Sequence, residues 1–454
     1  MQRIARLTPW IVAGAGALAA IVVLYPGQYP FDSAYQLWQA RSGQFNDVSP
    51  VVMPALWSAL LALGGGPALL LCVNLAMLWS GIALCVAAIS ESAPWRAVLV
   101  IVFGMAPLTM VQMAHLLSDS HLAAVLALAT GLAARGLATG RKAPMLACAL
   151  ALVYAGCVRH NALPAILPYA AVLVPVLFAG SRHRWRMAFL AALALGGVSF
   201  GAGIALDRAL TTERATVWPS IALWDLAAIS VDRGVLLLPA FTHGPGLTVD
   251  ELRSTGAFDP ASNTLLYQRG TSGVRDGLGE PYSTVQLRQL RRAWIDAVLS
   301  YPGAYLRHRL RITWLLIGPH RGAVQGAAYF IARSTYRDDP PLPQPWAPQA
   351  QQRLYAIAAA LLSTWLFAGL PYLLLSGLGV VIGALRRERP MPCLAMVVGS
   401  SALLYAAGFT LAAPGAELRY LTWPIIAGPL ALALSLSRRG AFSSRGPGLR
   451  SRGV

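Results

Sequence analysis

The sequence predicts an all-α polytopic membrane protein with about ten transmembrane helices, interfacial helices and one long loop on the outer face. Of its 454 residues, 56% are hydrophobic and only 12% are charged, whereas soluble proteins carry roughly 25% charged residues. The mean hydropathy is +0.57. Apolar stretches long enough to cross the hydrocarbon core of a bilayer recur along the chain.

Ten apolar stretches predict the transmembrane helices. They lie at 8–26, 67–90, 97–115, 120–137, 143–158, 161–180, 187–206, 356–385, 391–412 and 418–437. The first stretch follows a short basic segment, as in a signal peptide. Because no small-x-small cleavage site precedes the following loop, we expect it to be an uncleaved span. An even number of spans places both termini on the same side of the membrane.

Basic residues are distributed unevenly between the two sides of this topology. The formal net charge of +18 would by itself also fit a nucleic-acid-binding protein. The arginines, however, cluster in short segments on one side, and the short loops on the other side carry only Arg41, Arg159 and Arg419. Because basic loops face the cytoplasm, we expect both termini there, contacts with membrane lipid and no nucleic-acid partner.

The chain divides into four predicted parts. These are an N-terminal transmembrane module at 1–206 with an acidic first outer loop at 27–66, an extracytoplasmic loop at 207–355, a C-terminal transmembrane module at 356–437 and a disordered cytoplasmic tail at 438–454. Residues 54–63 are too short to span and predict an interfacial helix. Mixed basic and aromatic residues at 284–318 predict a second helical segment at the headgroup level.

Two short sequences in the long loop predict helix starts. Thr248 is followed three residues later by Glu251, and Ser283 by Gln286. Each pair has the pattern of a capping box, in which two side chains satisfy backbone N–H groups at the first turn.

Four carboxylates converge on the predicted outer face: Asp32, Asp47, Asp119 and Glu417. A carboxylate at a membrane boundary is costly unless it is solvated, paired or used. Asp32 could act as a general base, or it could cap the helix that follows. Asp47 lies close to Pro50 and could have only a structural role in stabilising a turn. The residues leave both choices open.

The second acidic loop carries His115, Asp119 and His121 without a basic neighbour. These three side chains could hold a divalent metal ion, although their spacing is not specific for one. Alternatively, Ser118 or Asp119 could cap the next span. The five cysteines show no CxxC or Cys/His spacing and are expected to be packing residues.

Two further polar clusters contain arginine. Arg159, His160 and Asn161 interrupt an apolar region, and Glu417, Arg419 and Tyr420 precede the last span; all are candidate substrate-binding residues. Guanidinium groups suit a phosphate or diphosphate ligand, but each arginine could instead pair with a nearby acid. No Walker A, HExxH or Asp-x-Asp sequence occurs. With such short inner loops, we expect a lipid-linked donor that is used on the outer face.

The order and sidedness of these motifs resemble the GT-C superfamily of membrane glycosyltransferases, which includes protein O-mannosyltransferases and lipid A aminoarabinose transferases. The matching stretches are Asp32-Ser-Ala-Tyr-x-x-Trp with Gly43-x-Phe-Asn-Asp47-Val-Ser-Pro50, Ser118-Asp119-Ser120, Arg159-His160-Asn161-Ala-Leu-Pro164, the segment 294–311, and Glu417-Leu-Arg419-Tyr420-Leu-x-x-Pro424. Several relatives have Asp-Glu at the position of Asp32-Ser33, so both Asp32 and Asp47 remain candidates for the base.

The resemblance implies a function and a location. A sugar would pass from a polyprenyl-phosphate carrier to a lipid, glycan or protein acceptor, with inversion at the anomeric carbon. The first-loop aspartate would be the catalytic base. Arg159 and Arg419 would stabilise the leaving phosphate, with the arginines of 288–311 as further candidates for this role. A divalent metal ion is needed in some members. The protein would lie in a bacterial inner membrane with its active site on the periplasmic face.

Two other functions fit parts of the sequence. A transporter or flippase of lipid-linked sugars would place polar residues at mid-membrane in paired discontinuous helices. A membrane acyltransferase would place a catalytic histidine inside a span, whereas His115 and His160 lie at predicted span ends. The transferase hypothesis makes a geometric prediction: Asp32, Asp119, Arg159, Glu417 and Arg419 surround one cavity.

Overall fold

The computed structural model describes residues 2–178, 183–254, 258–267, 274–275, 282–318 and 333–438. Within these ranges the chain is helical, and β-structure is limited to isolated bridges. The helices are α1 Gln2–Leu24, α2 Phe31–Ser42, α3 Val52–Ala62, α4 Leu69–Ile89, α5 Ala93–Gly104, α6 Pro107–Ala114, α7 Ser118–Thr139, α8 Lys142–Val158, α9 Leu163–Ile166, α10 Ala170–Leu177, α11 Arg184–Leu210, α12 Trp218–Arg233, α13 Val249–Ser254, α14 Thr284–Ser300, α15 Pro302–Ile317, α16 Pro348–Leu361, α17 Gly369–Leu385, α18 Pro390–Ala412 and α19 Thr422–Ser435.

Seven helical segments in the described part of the chain are long and apolar enough to cross a membrane. They are Leu7–Leu24, Leu69–Ile89, Ser118–Thr139, His160–Leu177, Arg184–Leu210, Pro390–Ala412 and Leu418–Ser435. The pair α5 and α6 would make an eighth span, but it is bent by 52°. Helices α8 and α17, each within a predicted span, have 17 residues. The fold is therefore that of a multi-pass helical membrane protein, with fewer full-length spans than the ten predicted.

The prediction of one continuous helix over 356–385 is wrong. Helix α16 ends at Leu361, a 3₁₀ turn occupies Trp365–Phe367, and α17 begins at Gly369. The hydroxyl of Thr364 donates a hydrogen bond to the carbonyl of Leu361, which is the kind of local side-chain bond that competes with helix continuation. An apolar composition alone therefore does not reveal this break.

A proline explains the bend within the predicted span at 97–115. Helix α5 ends at Gly104, and α6 begins at Pro107. Proline disfavours helical backbone in the residue before it and has no N–H to continue the hydrogen-bond ladder. After the bend, Ser120 on α7 donates a hydrogen bond of 2.7 Å to the carbonyl of Gln112 on α6.

The core of the N-terminal module depends on close contact between α4 and α7. A Cβ atom added at Gly81 would lie 2.3 Å from the carbonyl oxygen of Ala127, and one at Gly131 would lie 2.5 Å from the carbonyl oxygen of Gly81. Small residues at such positions let two backbones approach in a membrane helix bundle. Helices α17, α18 and α19 form a second bundle that packs on α7 through α18 and α19.

The long segment at 207–355 contains both predicted helix starts. Thr248 and Glu251 exchange the two hydrogen bonds of a capping box, and so do Ser283 and Gln286. The basic and aromatic region at 284–318 forms α14 and α15, while its place at the headgroup level stays a prediction. Of the predicted disordered tail at 438–454, all but Arg438 lies outside the described residues.

A buried ion pair holds three helices of this segment together. The carboxylate of Asp225 on α12 lies 2.6 Å from Nη2 of Arg309 on α15 and accepts a hydrogen bond of 3.0 Å from the indole of Trp294 on α14. Arg309 also donates to the carbonyl of Ala413, at 3.0 Å. Asp225 and Arg309 are almost fully buried, so this pair attaches the segment to the loop that precedes α19.

Candidate functional site

The largest concentration of predicted site residues surrounds a cavity of about 350 Å³, called here the Asp32 cavity. It lies where α2 and the loop after it meet the N-terminus of α7, the turn after α8 and the loop before α19. Its lining consists of Asp32, Tyr35, Gln36, Val48, Ser49, Pro50, Leu117, Ser118, Arg159, His160, Asn161, Pro414, Arg419 and Tyr420. Residues from four distant parts of the sequence therefore meet at one end of the helical bundle.

Asp32 is held by an arginine rather than used as a helix cap. Helix α2 begins at Phe31, its N-cap is Pro30, and no side chain caps it, so the capping alternative for Asp32 is wrong. Oδ2 of Asp32 lies 2.5 Å from Nη1 of Arg419. The Arg419 guanidinium holds the pKa of Asp32 below its usual range. The carboxylate is therefore ionised at neutral pH and can accept a proton, although the pairing makes it a weaker base.

Arg419 lies between two carboxylates. It belongs to the 3₁₀ turn Leu418–Leu421 just before α19, and its Nε contacts the carboxylate of Glu417. Burial raises the pKa of Glu417, while the adjacent guanidinium opposes that shift. The buried ring of Tyr420 stacks on Phe409 with centroids 4.8 Å apart. This packing fixes the turn and directs Arg419 toward the cavity.

Arg159 forms a second ion pair in the wall. Its Nη1 lies 2.5 Å from Oδ2 of Asp119 and donates to the hydroxyl of Ser118 at 3.0 Å. Its Nε donates to Oδ1 of Asn161 at 3.2 Å. Helix α7 has Leu117 as its N-cap and no side-chain cap, so the capping alternative for Ser118 and Asp119 is also wrong. Asp119 is buried behind Arg159 and supports it from outside the cavity lining.

His160 is oriented by an aspartate that the sequence analysis missed. Its Nε2 lies 3.3 Å from Oδ2 of Asp207 at the end of α11. The other oxygen, Oδ1, accepts a hydrogen bond of 3.0 Å from the backbone N–H of Val51. Asp207 thus connects a histidine of the cavity wall to the start of α3. In the sequence, Asp207 could have been recognised as a candidate because it is a charged residue directly after a long apolar stretch.

Asp47 does not line the Asp32 cavity. Its carboxylate accepts a hydrogen bond from the backbone N–H of Ala215 and borders a smaller space of about 220 Å³ beside Asp207, Arg208 and Arg214. The neighbouring Val48, Ser49 and Pro50 do line the Asp32 cavity. Of the two candidate bases, Asp32 lines this cavity and Asp47 does not.

His115, Asp119 and His121 do not come together as a metal site. Nδ1 of buried His115 lies 2.9 Å from the carbonyl oxygen of Val111. His121 is buried between the side chains of Asn74 and Tyr154, at 2.6 and 2.7 Å. Asp119 instead pairs with Arg159. Within the described residues, no group of three or more His, Cys, Asp or Glu side chains could hold a metal ion.

One wall of the cavity is aromatic and polar, and the sequence analysis did not assign it a role. Tyr35 contacts Phe31, Trp38 and Tyr336 in a cluster with centroid distances of 4.9 to 6.3 Å. Gln36, one turn after Asp32, donates to the hydroxyl of Ser49 at 2.9 Å. Among the residues that the structure describes, its buried Oε1 has no hydrogen-bond partner. A ligand hydroxyl would satisfy this acceptor.

Two other sequence features do not contribute to this site. Among the described residues that line the Asp32 cavity there is no arginine from 288–311. The sequence Gly197-x-Ser199-x-Gly201 resembles a nucleophile elbow, but it lies inside α11 and not at a strand-to-helix turn. The Ser199 hydroxyl donates to the carbonyl of Leu195 at 2.6 Å. It is therefore a buried helix residue and not an exposed nucleophile.

Comparisons of the chain with protein-family models, with curated protein sequences and with solved structures found no significant match.

Proposed function

We propose that the chain is an integral membrane glycosyltransferase of GT-C type that moves a sugar from a polyprenyl-phosphate carrier to an extracytoplasmic acceptor. The contact between Asp32 and Arg419 in the wall of a cavity that Arg159 also lines is the observation that carries the proposal. A carboxylate can take a proton from an acceptor, and guanidinium groups can hold a phosphate. The motifs that resemble the superfamily supply the reaction class.

The transfer is a single displacement at the anomeric carbon. Asp32 takes the proton of the acceptor hydroxyl while the acceptor oxygen forms a bond to that carbon. The bond between the carbon and the phosphate oxygen breaks, and its electron pair leaves with polyprenyl phosphate. Arg419 and Arg159 stabilise the negative charge that develops on the phosphate. Attack from the face opposite the leaving group inverts the configuration.

Arg419 couples donor binding to the strength of the base. Without donor, its guanidinium neutralises Asp32 at 2.5 Å and keeps the pKa of that carboxyl low. A donor phosphate competes for the same guanidinium. When the phosphate takes over that contact, the pKa of Asp32 rises and the carboxylate becomes a stronger base. The base is thus activated only when a donor is present.

The volume and polarity of the cavity support a small polar ligand. About 350 Å³ lies at the lower end of the ~300–1,000 Å³ found for small-molecule sites. The lining residues Gln36, His160 and Asn161 supply hydrogen-bonding groups for sugar or acceptor hydroxyls. We assign the cavity to the outer face of a bacterial inner membrane, with both termini in the cytoplasm, on the arginine distribution.

A flippase of lipid-linked sugars is the second candidate, and discontinuous helices favour it. The 52° break between α5 and α6 and the turns that interrupt 160–169 give discontinuous helices of the kind that transporters use. The charged residues of the Asp32 cavity, however, lie at helix ends and in loops. This placement suits chemistry at one membrane face better than passage through the bilayer.

Proteoliposomes with radiolabelled polyprenyl-phosphate sugars distinguish the two functions. A transferase moves the label from the lipid carrier to lipid, glycan or protein acceptors supplied as a membrane extract, and empty vesicles do not. A flippase carries the intact donor across the bilayer without breaking the sugar–phosphate bond. Translocation of intact donor without any transfer to the extract would contradict the proposed function.

A further inference from the structure

A second cavity, called here the Arg311 cavity, lies between α12, α15 and the segment 258–260. Its volume is about 380 Å³. Its lining consists of Ala228, Val231, Asp232, Phe258, Pro260, Ala304, Arg307, His308 and Arg311. It shares no lining residue with the Asp32 cavity, and the proposed transfer reaction does not use it.

The charged groups of the Arg311 cavity are unequally paired. Arg307 makes two hydrogen bonds to the carboxylate of Asp232, at 3.2 and 2.7 Å. Arg311 is exposed and forms no ion pair with any acid in the described part of the chain. Burial lowers the pKa of His308 to about 3, so His308 is neutral. Among the lining residues, two arginines and one aspartate give a formal charge of +1.

The remaining surface of the Arg311 cavity is apolar and continues along α15. Five of its lining residues have aliphatic, proline or phenylalanine side chains. Beside it, Leu306, Leu310 and Trp314 follow one another at four-residue intervals, and each is more than half exposed. Arg307 and Arg311 have the same spacing. Helix α15 therefore presents a basic edge and an apolar stripe side by side.

We propose that the Arg311 cavity binds an amphiphile whose headgroup is a singly charged phosphodiester. The phosphate lies against the guanidinium of Arg311, and the apolar chain follows Leu306, Leu310 and Trp314. A single negative charge matches the formal charge of +1. Because Arg311 has no carboxylate partner among the described residues, its guanidinium can hold phosphate oxygens. This chemistry comes from two sources, a membrane phospholipid and a lipid-linked sugar donor. The proposal does not depend on transferase activity.

Native mass spectrometry of the full chain, delipidated in neutral detergent, tests the proposal. The probes are dioleoyl phosphatidylglycerol, dioleoyl phosphatidylcholine, polyprenyl phosphoglucose and inorganic phosphate. We expect one of the two anionic lipids to bind more tightly than phosphatidylcholine, and the tighter of them identifies the source. Inorganic phosphate should bind far more weakly because it lacks the apolar chain. Equal binding of all three lipids would overturn the proposal, and so would inorganic phosphate that binds as tightly as the lipids.

Three variants connect the binding to the cavity. Arg311→Ala should weaken the anionic lipid about tenfold, the effect of losing one charge-assisted hydrogen bond. Ala304→Phe keeps both arginines but fills the cavity, and it should also weaken binding. Arg292→Ala is the matched control, because Arg292 is an exposed arginine of the neighbouring α14 outside the lining. If Arg292→Ala weakens binding as much as Arg311→Ala, the lipid is held by general surface charge and the proposal is wrong.

Discussion

Replacement of Arg419 by glutamine should change both the rate and the pH dependence of transfer. The Arg419 guanidinium lies 2.5 Å from the Asp32 carboxylate, and the Arg419 side chain is only 21% exposed. Water therefore cannot fully replace the interaction of this guanidinium with Asp32. Loss of one such group that stabilises developing charge lowers kcat by about 10²–10³-fold. The same change removes the charge that holds the pKa of Asp32 low. The pKa of the carboxyl should therefore rise.

The sign of the pH effect follows from the proposed role of Asp32 as a base. A base must be unprotonated, so activity falls on the acidic side as pH drops through its pKa. Because Arg419→Gln raises that pKa, the acidic limb of the kcat/KM profile should move to higher pH. The assay measures the initial rate of transfer from a radiolabelled polyprenyl-phosphate sugar between about pH 4 and about pH 9. This range extends from the usual pKa of a carboxyl group to above neutral pH.

A matched arginine provides the control for this prediction. Arg41 is on the same helix as Asp32, lies 2.6 Å from Asp339 and has a side chain that is 29% exposed, but it is outside the cavity lining. Arg41→Gln should leave the acidic limb where it is in the wild type. An acidic limb that stays in place in Arg419→Gln, or an equal shift in Arg41→Gln, would show that Arg419 does not control the pKa of the catalytic base.

Two predictions concern stability, measured by denaturant unfolding in detergent micelles. Asp225→Asn should destabilise the protein by about 3–5 kcal/mol, because it leaves the buried charge of Arg309 without its partner. Asp232→Asn, at the solvent-exposed pair with Arg307, should have a much smaller effect. Equal losses of stability in the two variants would contradict this prediction. Gly81→Ala should cost about 1–3 kcal/mol by overpacking α4 against α7. Gly14→Ala, where no atom lies within 4 Å of the added Cβ, should cost nothing, and a similar loss in both would exclude close packing as the cause.

The convergence of Asp32, Arg159 and Arg419 could be predicted from the sequence. The uneven distribution of arginines between the two sides predicts that their loops lie on the same side of the membrane. Short loops on the same side of one helical bundle lie close together. The same logic did not predict the direction of single side chains. Asp47 immediately precedes residues that line the Asp32 cavity, yet its carboxylate binds the backbone of Ala215. A sequence motif predicts which loop a residue belongs to, but it does not predict the direction in which the side chain points.

The long polar segment was the least predictable part of the fold. Asp225 and Arg309 are 84 residues apart. Arg309 lies in the segment 294–311 that resembles the GT-C superfamily, but Asp225 belongs to none of the matching stretches. Their pairing depends on how α12 and α15 pack, which hydrophobic periodicity does not specify. The break near Thr364 was missed for a related reason, since an apolar stretch satisfies the length criterion for a span whether or not its backbone is continuous.

We propose above that Asp32 is the base of a sugar transfer. The most direct measurement compares transfer of radiolabelled sugar by wild type, Asp32→Asn and Asp47→Asn in membranes with equal protein levels. We predict that Asp32→Asn loses transfer but still binds the donor, because Arg419 and Arg159 remain, and that Asp47→Asn keeps most of its activity. Full transfer by Asp32→Asn, with activity lost in Asp47→Asn instead, would contradict the claim.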